Sequence, residues 1–140
     1  MSNSDTEWSL KEYEPPDSVE RWFFRKNLAP NPGPQDSRFT HVAYVTIHFE
    51  PRDLSGLPNT EDEDLLFEME DSGLSELESV GQAVHVASAL KAGIKDLLFY
   101  TKNPEAFLAE TKVFRKVHGT FAIECEMAED PNWEHYAEFP

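Results

Sequence analysis

A chain of 140 residues, 39% hydrophobic and 12% aromatic, is sized for one domain and carries too much apolar mass to stay disordered. Twelve basic against 27 acidic residues leave a formal charge of -15, which repels phosphate backbones and anionic membranes; no nucleic-acid and no membrane partner is expected, whereas a basic protein would be steered toward it. One cysteine, Cys125, excludes an internal disulfide and a cysteine-built zinc site and fits a reducing compartment; with no apolar run near about 18 residues and no signal-like opening, the expected location is cytoplasmic.

Residues 1–20 are polar and carry Pro15-Pro16. They are expected as a loosely ordered N-terminal arm with one weakly anchored piece, Trp8 to Tyr13, ahead of a single domain over 21–140. Trp22-Phe23-Phe24-Arg25 is a short β run that suits an extra edge strand. Ala29 to Asp36 holds three prolines, which no helix interior or central strand accepts, and is a surface loop. His41 to Glu50 alternates, with Ala43, Val45, Ile47 and Phe49 on one face and Tyr44, Thr46 and His48 on the other, the mark of a half-buried strand.

Thr60-Glu61-Asp62-Glu63 has capping-box spacing and opens a helix whose acids suit its positive end. Gly73, inside that helix, calls for a close packing contact or a bend, and Gly81 closes it. Val84 to Leu90 and Lys95 to Thr101 form a hairpin about Lys91-Ala92-Gly93. Asn103-Pro104 starts a second helix with a buried stripe of Phe107, Leu108, Thr111 and Phe114, and with Lys112, Arg115 and Lys116 near its negative end. Phe121, Ile123, Cys125 and Met127 alternate in the last strand. Asp130-Pro131 begins a short final helical turn through Trp133 and Tyr136.

From His41 onward the order is strand, helix, strand, strand, helix, strand. Short, right-handed connections make that an α+β, ferredoxin-like split β-α-β antiparallel sheet with two helices on one face. Strands 41–50 and 95–102 are expected in the middle, 118–128 and 83–90 outside, with the second face open to solvent.

That open face would collect Tyr44, Thr46, His48, His85, Glu124 and Glu126. His48, His85 and Glu124 are the candidate polar site for a small molecule or an enzymatic role. Alternating polar residues on a solvated face give the same pattern, and no H-x-x-x-H spacing supports a ligand set, so no metal and no cofactor is expected. Tyr44 and Tyr100 could stack bases, but the basic, Gly and aromatic run of RNA-binding sheets is missing. Cys125 sits among Phe121, Ile123 and Met127 and reads as an inert hydrophobe. With no Gly-x-Ser-x-Gly elbow and no phosphate-cradling glycine loop, no enzyme is expected. The acidic residues Glu61, Glu63, Asp64, Glu70 and Asp71 are a candidate docking surface for a basic partner, against the plainer reading of a solvated helix face. Trp133, Tyr136 and Phe139 suit a tail clamped onto its own core more than a partner anchor. An exposed edge strand allows a monomer or a homodimer.

Five places carry a family resemblance: the Trp8 to Tyr13 opening, Gly56-Leu57-Pro58, the acid-rich helix Glu61 to Glu70, the strand ending Leu97-Leu98-Phe99-Tyr100-Thr101, and Asp130-Pro131-Asn132-Trp133-Glu134-His135-Tyr136. On these the chain resembles a bacterial family, domain-of-unknown-function family 695, some of whose members are similar to RraB-like regulators of ribonuclease E. The resemblance implies a ferredoxin-like fold and a non-enzymatic, protein-binding regulator, with no functional residue to carry over. The alternative is a small-molecule-binding or enzymatic domain using the open sheet face.

Overall fold

A computed structural model describes residues 7–140; the first six residues of the expected arm lie outside the described residues. The elements in chain order are strands β1 (Trp8–Tyr13), β2 (Trp22–Asn27) and β3 (His41–His48), helices α1 (Thr60–Ser72) and α2 (Ser75–Ser79), strands β4 (Ala83–Lys91) and β5 (Ile94–Thr101), helix α3 (Pro104–Val117), strand β6 (Ala122–Glu129) and helix α4 (Glu134–Glu138). All strands pair antiparallel in one sheet of order β1-β2-β4-β5-β3-β6. The α+β class stands, but the sheet has six strands. β3 and β5 are neighbours with β6 and β4 beside them, as expected, yet β4 is interior because β2 pairs with its other side. Trp8–Tyr13 is a full edge strand rather than a weakly anchored piece, in register with β2 from Trp8↔Asn27 to Tyr13↔Trp22. Its sequence hides this because Leu10 and Tyr13 stay exposed, so the ladder and one half-buried aromatic, Trp8, hold it in place of an apolar face. No helix among the described residues is long and apolar enough to cross a membrane.

Helix α1 begins one residue earlier than the capping box suggested. Asn59, not Thr60, is the cap, and its Oδ1 accepts from the Asp62 amide at 2.8 Å; asparagine is at least as good a cap as threonine and leaves Thr60 free to be helical. The helix stops at Gly73, where a Cβ would stand 2.7 Å from the Met69 carbonyl and 3.3 Å from His118 Nε2, and α2 restarts after Leu74. The β4–β5 turn puts Ala92 and Gly93 both at positive φ, 49° and 81°, the two-residue form that matches strand twist. Asn103 caps α3 through the Ala106 amide, with Pro104 in its first turn.

Each sheet face carries its own core. On one, Ala43, Val45, Ile47, Leu97, Phe99 and Ile123 meet Leu66, Met69, Leu77, Phe107 and Phe114 of the helices. Leu108, expected in the α3 stripe, is instead exposed, because the packed row is Phe107, Thr111 and Phe114. On the other, Val42, Val84, Val86, Leu98 and Tyr100 are covered by Phe39 and Trp133, with Tyr136 and Phe139 at the margin. The second face is therefore largely closed by the tail, while its Thr46–His48 end and the adjoining β6 edge meet solvent.

Polar partners make that closure tolerable. The Tyr100 hydroxyl donates to Asp130 at 2.6 Å, and Asp130 accepts from the amides of Glu134 and His135, so one carboxylate ties β5 to the start of α4. The Tyr136 hydroxyl donates to the Asn27 carbonyl and Lys26 Nζ to the Phe139 carbonyl.

Candidate functional site

His48 and Glu124 do meet, with Nε2 and Oε1 2.7 Å apart, on the solvent-facing end of β3 and β6. Both side chains are substantially exposed, and such pairs contribute little. His85 is not with them. A bulge interrupts β4 between His85 and Ala87. His85 stands opposite Phe99, on the helix face, whereas Val86 and Ala87 both enter the second core. Strict alternation would have kept His85 with Ala87 and Ala89; the extra residue breaks that phase. The three-residue open-face site is thus divided between opposite faces of the sheet.

His85 lies instead at the floor of a cleft of about 560 Å³ between the helices and strands β1, β2, β4 and β5. At its centre is Glu70 of α1. One carboxylate oxygen accepts from Arg25 Nη1 at 2.7 Å and from the Ser88 hydroxyl at 2.9 Å, and the other from Lys95 Nζ at 2.5 Å. Burial alone would push this carboxyl up, but Lys95, with His85 and Arg25, outweighs burial and holds it below its ordinary value. The Glu70 side chain is only 7% exposed, so it sits as an interior ion-pair partner rather than on the outer face of α1. Glu63 and Asp71 line the same cleft, and Glu61 and Asp64 do not. The acidic residues grouped by sequence therefore divide into two cleft walls, one buried anchor and two outward carboxylates.

The His85 ring lies between Trp8 at 5.2 Å and Phe99 at 5.1 Å, and Arg25 covers Trp8 at 4.8 Å. The residue is 8% exposed, and its Nε2 has no hydrogen-bond partner among the described residues. Burial drives its pKa down to about 4; Glu70 and the Ala87 backbone oppose that, while Arg25 and Lys95 add to it. The ring is neutral at pH 7. Glu78 of α2 accepts from the His85 amide at 3.0 Å, and burial raises its carboxyl. None of the ion pairs among the described residues includes Glu78, Glu63 or Asp71.

The depressed His85 pKa makes a signed prediction. Between its ordinary 6.5 and about 4, the unfolded chain takes up a proton that the folded chain refuses, so stability falls as pH drops through that window. Urea unfolding at pH 7.5 and pH 5 should differ by about 2 kcal/mol more in the wild type than in His85→Phe. Arg25, Lys95, Glu70 and Glu78 all face this ring, and the comparison with the variant removes their own titration from the difference. Equal slopes in the two proteins would show that folding does not depress the His85 pKa.

Among the described residues no group of three or more His, Cys, Asp or Glu side chains is placed to hold a metal ion. Cys125 packs against the helix-side core, where burial pushes its thiol up, away from the thiolate a nucleophile needs. Sequence reasoning missed Trp8, Arg25, Glu78 and Lys95. The available signal was a cation at the edge of an apolar run in each of two strands, Arg25 after Trp22-Phe23-Phe24 and Lys95 shortly before Leu97-Leu98-Phe99-Tyr100. A charge inside such a strand needs a buried counter-ion.

No curated protein and no solved structure matches the chain. Residues 21–139 match the model described as a family of unknown function, DUF695; Trp8 lies before that span, the rest of the cleft within it, and the chain belongs to that family.

Proposed function

We propose that this domain is a binding module whose site is the cleft floored by His85, taking a small polar ligand. The observation that carries this is the unpartnered His85 Nε2 at the cleft floor. Leaving a buried polar atom unmet costs about 1–3 kcal/mol, a penalty that a ligand with the complementary atom relieves. The surroundings are preorganised: Glu70 is fixed from three directions, and Trp8 is held between Arg25 and His85. A thermal-shift screen of small polar metabolites on the wild type and on His85→Phe tests this. Compounds that raise the Tm of the wild type alone are expected; hits that stabilise both proteins equally, or no hits, would sink the reading.

The strand order β6-β3-β5-β4, with α1–α2 and α3 crossing one face, supports a ferredoxin-like core to which β1 and β2 are added, and we place it in the cytoplasm. A second reading, a regulator that binds a basic protein partner, is favoured by Phe67, which is 64% exposed on α1 between Glu63, Asp64, Glu68 and Asp71. Its contacts are Glu61, Glu63, Asp64 and Asp71 with Phe67, without Glu70. Salt-sensitive capture of a basic protein that survives the triple change Glu63→Lys, Asp64→Lys and Asp71→Lys would refute it.

A further inference from the structure

We propose that the cleft selects a small primary-amine cation, its ammonium held between His85 Nε2 and Glu78 and its carbon body laid against Phe67 and Leu90. This rests on the cleft being a binding site and adds the class of ligand.

The charge inventory of the cleft points one way. Four carboxylates, Glu63, Glu70, Asp71 and Glu78, line it with two cations, Arg25 and Lys95. Both cations are engaged by the one carboxylate Glu70. Glu63, Asp71 and Glu78 are left without a cationic partner among the described residues. An anion entering the cleft meets those three carboxylates and a chain of charge -15, so the long-range field also favours a cation.

The buried acceptors then fix the donor. A neutral imidazole keeps one N–H and one lone pair. His85 lines the cleft and its Nε2 has no partner among the described residues; in the tautomer protonated on Nδ1, the Nε2 lone pair is left for a ligand donor. Glu78 uses Oε2 to accept the His85 amide and keeps Oε1 for a further donor. Its carboxyl is raised by burial, as expected of a desolvated carboxylate with no cation against it. An ammonium supplies three N–H donors and the missing charge together. A hydroxyl would meet Nε2 but leave Glu78 uncompensated. The apolar lining from Leu66, Phe67, Leu90 and Pro58 suits a hydrocarbon body behind that head.

The test uses three probes of one length, 1,4-diaminobutane, 1,4-butanediol and succinate, titrated into the full chain. Isothermal calorimetry is read beside NMR of the His85 ring nitrogens and the Glu78 carboxylate carbon. The diamine is expected to move both signals saturably, to bind about tenfold or more tighter than the diol, and to weaken by about tenfold in Glu78→Gln. Preferred binding of the diol or succinate at His85 overturns the amine assignment but leaves the cleft a binding site. Silence from all three also overturns it, and the cleft reading falls with it only if the wider metabolite screen is silent too. Diamine binding that leaves the His85 and Glu78 signals unmoved, or that is unchanged in Glu78→Gln, places the amine elsewhere on the acidic surface and refutes the proposal.

Discussion

Trp133→Ala should lose about 3–5 kcal/mol of unfolding free energy, the range for emptying a large aromatic site in a core. Trp133 is 1% exposed, stacks on Tyr100 with centroids 4.0 Å apart and planes 7° from parallel, and donates from Nε1 to the Phe39 carbonyl at 2.8 Å. Its backbone sits at φ 55°, a left-handed conformation that a tryptophan adopts only when packing over-determines it. Truncation therefore removes the plug and the reason for the strained turn together. Trp133→Phe keeps part of the stack, loses the Nε1 bond, and should cost about half as much. Urea unfolding followed by far-UV circular dichroism measures both. A loss below about 1 kcal/mol for the alanine variant would mean that the tail is not a structural part of the second core.

Glu70→Ala is the second large effect, about 3 kcal/mol. It leaves Lys95, 14% exposed, without its counter-ion in the cleft. Removing both partners is gentler than removing one, because the desolvation of both charges disappears with them. Glu70→Leu combined with Lys95→Met should therefore recover most of what Glu70→Ala loses, with Arg25 turning to solvent from its half-exposed position. Should the double variant be no more stable than the single one, the ion pair would be contributing stability in its own right.

Local chemistry was legible where it acts locally. The alternation in His41–His48, the Asn103-Pro104 start of α3, the Ala92-Gly93 turn and the break at Gly73 each follow from residues within a few positions of one another, and each stands in the structure. The tail aromatics folding back onto the chain were legible too. What escaped depends on partners far apart in sequence. Nothing in Trp8–Tyr13 announces a strand, because β1 is held by β2 and by Trp8 against His85. The cleft escaped for two reasons. One bulge after His85 moves that side chain to the opposite face, and no spacing rule anticipates it. The other is that Glu70, sitting in an acidic run, looks like any solvated helix carboxylate until Arg25 and Lys95 arrive from strands 45 and 25 residues away.

The tail clamp also has a consequence for synthesis. The second core needs Trp133 over Tyr100, and its margin needs Tyr136 and Phe139 bonded to Asn27 and Lys26. Chains emerge from the ribosome N-terminus first, so β3, β4 and β5 are exposed long before their cover exists. Until residue 139 has been made, Val42, Val84, Val86 and Leu98 present an uncovered apolar sheet face. The nascent domain therefore passes through an interval in which that face is bare and prone to association, and a ribosome stalled between residues 101 and 133 would hold it there.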